Sequence, residues 1–425
     1  MIIETSMTKI LRHLNKSYLT FDEYTLQKLP HGHPEREYLL YVHIPFCEEL
    51  CPYCSFNRYK FQEDRAKRYF AALRREIKLY RQYDFKCTGV YVGGGTPTVL
   101  PDELAETLQL IRESFPVREV SVETNPNHLT DNIVTTLRQA GVNRLSVGVQ
   151  SFDDTLLKAM ERYHKYGSGA EIEARLKQYH GVFDTLNVDM IFNFPLQTME
   201  SLQRDLEIIK EMPADQVTFY PLMVSTVTEK VIRKTLGKVD YGQEKLYYQE
   251  IFKQLAADYT PGSAWCFSRQ GAMIDEYIVD YDEYLGVGSG SFSYLNGKIM
   301  ANTFSIEGYC DKLEHDQPAV AFCKDFSLLE RMRYDFMIKL FGTKIDMAAI
   351  RRRYGNFFSD VLWKELALFK GLKALKQEGN QLSLTPKGYY YWVIMMREFF
   401  IGVNNFRDIC REPIIEKAKK AVNKS

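Results

Sequence analysis

The chain has 425 residues, 45% of them apolar, which is enough for one large domain, a smaller one and a sizeable core. Lys plus Arg and Asp plus Glu are both 55, so the formal net charge is zero and no basic footprint for nucleic acid stands out. Met1–Met7 does not read as a basic-then-apolar leader, no apolar run is long enough to span a bilayer, and eight cysteines fit a cytosolic redox protein better than a disulfide scaffold.

Residues 1–37 read as an N-terminal extension. From residue 38 to 235 strand and helix alternate. Tyr38–His43 is the first expected strand, and Tyr69, Leu73, Ile77 and Tyr80 recur on one helix face. Cys87–Val92 is the second strand and ends in a glycine run. Pro101 and Asp102 open a helix buried through Leu104, Leu108, Ile111 and Phe115. Glu119–Glu123 is the third strand, and Thr130 is expected to cap a helix that stops at Gly141. Asn143–Val149, Thr185–Ile191 and Asp215–Tyr220 complete the set of six. Six β-α repeats predict an α/β fold with a parallel sheet and outer helices. They are too few for a closed eight-stranded barrel, so an open, partial barrel is expected. Ligands collect at the carboxyl ends of such strands. Cys47, Gly93, Glu123, Gln150, Asp189 and Tyr220 lie there in sequence and are expected to converge.

Beyond residue 235 the alternation stops. Residues 236–325 carry the glycine-rich Tyr284–Ser293 and read as a segment that completes the barrel. Residues 326–425 read as a mainly helical, winged-helix-like domain covering the substrate. Within it Tyr389–Ile401 is almost wholly apolar. Core packing is one reading of that run. The other is a lid or surface that meets a flat aromatic or membrane-dissolved substrate, with Lys387 and Arg397 as its cations.

The chemistry is densest just after the first strand. Cys47, Cys51 and Cys54 are spaced C-x3-C-x2-C. Cysteine thiolates hold iron–sulfur clusters, and three of them leave one iron of a [4Fe–4S] cube open. A zinc site with His43 as fourth ligand and plain buried thiols are the competing readings. The odd local count and a reducing compartment argue against a disulfide. Gly93-Gly-Gly-Thr-Pro-Thr98 lets the backbone approach a ligand. Glu123, Gln150, Arg162 and Asp189 are polar residues in apolar surroundings, which is costly unless they have partners. Ligand contacts are expected for them, with capping or surface exposure as the alternative. A carboxylate such as Asp189 suits a ribose diol, and the Arg162 guanidinium suits a carboxylate.

The cysteine spacing, with Tyr53 before the last thiol, resembles the radical S-adenosylmethionine (SAM) superfamily, in which SAM takes the fourth iron. The resemblance narrows with the ordered series Tyr41–Cys47, Gly93–Thr98, Asn143–Phe152, Arg162–His164, Asp189–Pro195, Tyr284–Gly290 and Leu382–Gly388. Together these resemble the oxygen-independent coproporphyrinogen III dehydrogenase-like family over residues 38–395. That resemblance implies a [4Fe–4S] cluster on Cys47, Cys51 and Cys54. It implies SAM contacts from Gly94, Gly95, Thr96, Glu123, Gln150, Arg162 and Asp189. Tyr41 would lie beside the cluster, and Tyr41 and Glu123 would stand nearest the chemistry.

That family holds a decarboxylating dehydrogenase, a heme chaperone and class C methylases that use two SAM molecules. The dehydrogenase carries a fourth Cys where this chain has Phe56. Asn193–Thr198 replaces the usual Gly-Leu-Pro-Gly-Gln-Thr, and Trp265–Gly271 lacks the chaperone's His-Asn pair. With the apolar tail, these departures give the expectation of a cytoplasmic class C radical SAM C-methyltransferase. Its substrate would be a menaquinone-type naphthoquinone, and it would bind two SAM molecules, the second near Tyr220, Met223 and Gly288. A flavodoxin or ferredoxin would reduce it, and residues 389–401 would touch the inner membrane face. A tetrapyrrole methylase, a heme chaperone and the dehydrogenase are the alternatives.

Overall fold

The structure, a computed structural model, describes residues 2–26, 28–269 and 277–422. All six expected strands are present: β1 Glu37–Ile44, β2 Lys86–Gly94, β3 Glu119–Thr124, β4 Arg144–Gln150, β5 Thr185–Phe192 and β6 Gln216–Pro221. They pair in parallel in chain order. Both faces of such a sheet are covered, so its strands are apolar almost throughout. In β1, Leu39, Leu40, Val42 and Ile44 are all buried, and in β2 only the two end residues are not.

The sheet does not close. It runs through thirteen strands in one open order, with the six parallel strands in the middle. Residues 236–325 extend both edges. β7, Tyr284–Val287, pairs in parallel with β1 as a seventh parallel strand, and Cys266–Ser268 pairs antiparallel with β6. The N-terminal extension joins in too, since Asp22–Glu23 pairs with Val320–Asp325. Gln270 and Gly271, part of the segment in which the His-Asn pair was sought, lie outside the described residues.

Local expectations hold with one exception. Thr130 occupies the cap position of the helix Asp131–Gln139, but its side chain makes no cap bond. Gly141 follows the end of that helix at φ +79°, a conformation glycine adopts without cost. The C-terminal region contains a three-stranded antiparallel sheet, Lys344–Asp346, Gln381–Leu384 and Leu375–Glu378, beside helices Met347–Tyr354 and Trp363–Gly371. That is the content expected of a winged-helix-like module.

Among the helices are α1 Ile2–Tyr18, α2 Met199–Glu211, α3 Tyr241–Leu255 and α4 Pro386–Val422, and of these four only α4 lines the site. The apolar run Tyr389–Ile401 begins α4, and the structure decides between its two readings. Trp392, Val393, Ile394 and Met396 are fully buried. Trp392 donates its indole N–H to the Met337 carbonyl at 3.0 Å and packs on Phe369 at 4.8 Å between ring centres. Arg397 is no surface cation either. It is 1% exposed and ion-paired to Glu244 of α3 and to Glu398. Glu398 also accepts from Arg12 of α1 at 2.6 Å, so this buried network ties three helices together. A membrane contact through 389–401 is therefore corrected to core packing. Among the described residues no helix is long and apolar enough to cross a membrane.

Candidate cofactor and substrate site

The carboxyl ends of the central strands open on one cavity of about 310 Å³. Cys47, Cys51 and Cys54 line it, with Tyr41, Gly94, Gly95, Glu123, Gln150, Arg162, Asp189 and Tyr220. Of the six strand-end residues read from the sequence, five converge there; Gly93 does not line the cavity but packs against Glu123, where a Cβ would lie 2.8 Å from the carboxylate. Two other expected members stand elsewhere. Thr96 is buried behind the cavity wall, where its hydroxyl accepts from Asn125 at 2.8 Å and bonds the Cys47 thiol. Gly288 does not reach the cavity. It packs on the back of β1, where its N–H donates to the buried Glu76 carboxylate at 2.7 Å.

The cysteine loop leaves β1 at Ile44 and is pinned at both ends. Phe46–Cys47 pairs with Tyr59–Lys60, and the Phe61 N–H donates to the Cys47 carbonyl at 2.8 Å. Arg58 holds the interior. Its guanidinium donates to the carbonyls of Cys51 at 2.5 Å and Cys54 at 2.7 Å. Burial opposes its charge, but Cys54, Cys47 and Cys51 favour it and raise its pKa. Burial pushes the Cys47 thiol up to about 12, and the neighbouring Cys54 adds to this. A thiol held as Cys47 is needs a metal to deprotonate it.

His43 is excluded as a fourth zinc ligand by its two ring nitrogens. Nε2 lies 2.8 Å from the Asn57 carbonyl and Nδ1 lies 2.9 Å from the Tyr41 hydroxyl. Burial lowers its pKa to about 4, so the ring is neutral at physiological pH. The proton is then on Nε2, donated to the carbonyl, and Nδ1 accepts from Tyr41. Among the described residues no three such side chains converge on a single metal-ion position. Three thiols around a shared cavity suit a multi-iron cluster better than one ion.

The remaining groups form a cradle beside the thiols. Glu123 accepts from the Tyr91 hydroxyl at 2.9 Å and from the Gly94 N–H at 3.1 Å. Gly94 has φ +121°, and a Cβ on Gly95 would lie 2.5 Å from the Phe46 carbonyl oxygen. The glycines therefore let two chain segments meet beside the cavity. Gln150 sits at φ +76° after a bulge in the β4–β5 pairing, which re-aims it towards the cavity. Asp189 accepts from Ser146 and Asn187, both at 2.8 Å. Arg162 donates to Gly148, to Asn125 at 3.3 Å and to Tyr53 at 3.3 Å, and its Nη1 lies 3.8 Å from the Cys51 sulfur. Its Nε is buried with no hydrogen-bond partner. An orphaned buried donor beside three thiols and a glycine cradle fits a bound group with acceptor oxygens. The residues present thus fit a cluster with SAM against it.

Several site residues carry no short motif and were missed from the sequence: Arg58, Tyr91, Asn125 and the cavity face of α4. That face is Phe400, Val403, Asn404 and Arg407. Its spacing of three, one and three residues is a helix-face signal, hidden because the same helix begins as core.

The family model described as "Radical SAM superfamily" matches residues 41–238. The heme chaperone HemW of Lactococcus lactis is 31% identical over 378 residues, covering 86% of this chain and 98% of that protein. The oxygen-independent coproporphyrinogen III oxidase of Salmonella typhimurium is 26% identical over 389 residues, 84% of each chain. A solved structure of the Escherichia coli coproporphyrinogen III oxidase HemN superposes with a TM-score of 0.73 at 24% identity, covering 86% of this chain and 91% of that one, and shows the shared fold. The open sheet with its cysteine loop is that of a radical SAM protein. The chain belongs to that superfamily and, within it, to the coproporphyrinogen oxidase-like family that holds HemN and HemW.

These relatives correct the functional expectation. Those aligning over most of the chain are named heme chaperones and coproporphyrinogen oxidases, so the class C methyltransferase with a naphthoquinone substrate is set aside. The apolar tail that favoured a quinone is core through Met396, and only its end, at Phe399 and Phe400, meets the cavity.

Proposed function

We propose that this chain is a radical SAM protein whose cavity receives a heme-type tetrapyrrole, and that it acts as a heme-binding chaperone. The observation carrying this reading is the aromatic part of the cavity wall. Tyr220, Met223, Trp265, Phe292, Tyr334, Phe399 and Phe400 make it broad, apolar and aromatic. Such a wall suits a flat macrocycle. Positive charge is sparse there: among the described residues Arg58, Arg162 and Arg407 line the cavity, and the first two are bound to the cysteine loop and its surroundings. A porphyrinogen with a carboxylate on every ring asks for more cations than that. Heme, with two propionates, asks for fewer. Phe56 in place of a fourth Cys points the same way.

A second reading, oxidative decarboxylation of a tetrapyrrole propionate, is favoured by the complete set of SAM-directed groups on the same cavity. When bound, a reduced cluster with SAM supplies hydrogen-atom abstraction from an unactivated carbon. The chain's own share is positional. Cys47, Cys51 and Cys54 would hold the cluster. Glu123 and the Gly94 backbone would hold the SAM amino group, Arg162 its carboxylate and Asp189 its ribose. Tyr41 and the neutral His43 would keep the floor of the site ordered and without a mobile proton. One SAM suffices for either reading. Both place the protein in the cytoplasm with a flavodoxin- or ferredoxin-type donor, in keeping with eight free cysteines.

The test is anaerobic reconstitution of the cluster, followed by heme titration and product analysis. Saturable heme binding without SAM cleavage supports the chaperone. Release of 5′-deoxyadenosine and carbon dioxide from coproporphyrinogen III moves the assignment to the oxidase. No heme binding and no cleavage with either tetrapyrrole overturns the proposal.

A further inference from the structure

We infer that Arg407 is the anchor for a carboxylate of the cavity's ligand, and so a specificity-determining residue. This deepens the tetrapyrrole reading and rests on it for the identity of the ligand, not for the chemistry recognised.

Arg407 lies on the cavity face of α4 and is 9% exposed. Its guanidinium carbon stands 5.2 Å from the centre of the Phe56 ring and 5.7 Å from that of Phe292. Nη1 donates to the Asn404 carboxamide oxygen at 2.7 Å, and Asn404 in turn donates to the Met223 carbonyl at 2.9 Å. The charge is thus fixed in place by an amide and two aromatic rings. It reaches the floor of the site, where it acts on both Tyr41 and His43.

The three cavity arginines divide their work. Arg58 is the cation that acts on Cys47, and it answers to all three thiols. Arg162 answers to Tyr53 and Cys51. Arg407 sits on α4 between Phe56, two residues past Cys54, and Phe292 of the aromatic wall, where the edge of a flat ligand would lie. A guanidinium remains charged at all relevant pH and presents a planar fork that matches a carboxylate. In a cavity walled by rings the local dielectric is low, which strengthens attraction for an incoming anion. A structural cation–π contact alone would need no opening on the cavity. A carboxylate anchor needs both the burial and the opening, and Arg407 has both.

The experiment compares acid with ester. Wild-type protein, Arg407→Met and Arg407→Lys are titrated with heme and with heme dimethyl ester. In parallel they are titrated with the fluorescent pair 1-pyrenebutyrate and 1-pyrenebutanol. Thermal midpoint and iron content serve as folding checks. Wild type is expected to prefer each acid over its neutral partner about tenfold or more. Arg407→Met removes that preference while still binding the neutral ligands, and Arg407→Lys keeps part of it. A wild-type protein that does not prefer either acid overturns the inference, even if Arg407→Met fails to fold. So does an Arg407→Met protein that keeps the preference or loses acid and neutral ligand equally. If neither heme ligand binds yet pyrenebutyrate is preferred through Arg407, the tetrapyrrole reading falls and the anchor stands.

Discussion

Two glycine loops flank the end of β1, and they have opposite tasks. A Cβ on Gly94 would come 2.6 Å from the His43 ring, and one on Gly288 would come 2.4 Å from the His43 carbonyl oxygen. Both glycines hold positive φ, +121° and +98°. The Gly93–Gly95 loop has one side on the cavity and places its Gly94 N–H against Glu123. The Gly286–Gly290 loop is sealed: Gly288 bonds to Glu76, which also takes the Tyr309 hydroxyl at 2.5 Å and the Asn302 amide at 2.8 Å. A glycine run therefore announces close approach of backbone, not what approaches. In one loop the partner is the cofactor cradle, in the other the protein itself.

Substitutions on each side of β1 separate the two tasks. The largest effect belongs to the cavity side. Cys51→Ala should abolish cluster binding, read as iron per chain and visible absorbance, because two thiols cannot hold the cube. Four irons per chain retained by that variant would remove the cysteine assignment.

On the sealed side, Gly288→Ala forces a side chain into positive φ and into the His43 carbonyl. It should lower unfolding free energy by about 4 kcal/mol. SAM affinity of the folded fraction should be unchanged. A weaker SAM site at unchanged stability would mean the loop serves the cofactor after all.

Glu76 offers a pH signature for the same loop. Burial raises its carboxyl to about 7, against the hydrogen bonds from Tyr309, Gly288 and Asn302 that favour the charge. The raised pKa means that the folded state favours the protonated form. That stability is fully present below about pH 4.5 and is lost as pH rises through about 7. The span corresponds to about 3 kcal/mol. Chemical denaturation from pH 5 to 8 should show the decline, added to one from Asp205, which burial likewise raises to about 7. Glu76→Gln should flatten its share, and an unaltered slope would contradict the account.

The smallest effect is expected from Asp189→Ala. SAM affinity should fall about tenfold, the loss of one hydrogen bond to a charged group, with iron content intact. Equal affinity would leave Asp189 as a buried partner of Ser146 and Asn187 and nothing more.

Much of this was legible in the sequence, for identifiable reasons. The six strands were readable because a sheet covered on both faces needs uninterrupted apolar runs between turn residues. The strand-end residues followed from the parallel topology. Gly288 was misplaced because glycine spacing carries no information about burial. Residues 389–401 could be read either as core or as a surface run, because sequence does not tell an apolar helix covered by protein from one covered by lipid. Arg407 stayed hidden because the rings it packs on, Phe56 and Phe292, lie more than a hundred residues away in the chain, so no local pattern marks it or its neighbour on the same face, Val403. The methyltransferase expectation rested on the surface reading of that tail and on departures from relatives, not on a residue that transfers a methyl group.

On the proposed function, a heme-type ligand packs on the aromatic side chains of the cavity and leaves the cofactor cradle free. Heme titration of Val403→Trp against wild type tests it most directly, because Val403 lines the cavity and is 8% exposed. The added ring should fill the ligand's space on the α4 wall. The account predicts saturable heme binding by wild type and its loss in the variant, with SAM affinity retained by both. Heme binding by Val403→Trp equal to that of wild type would contradict it.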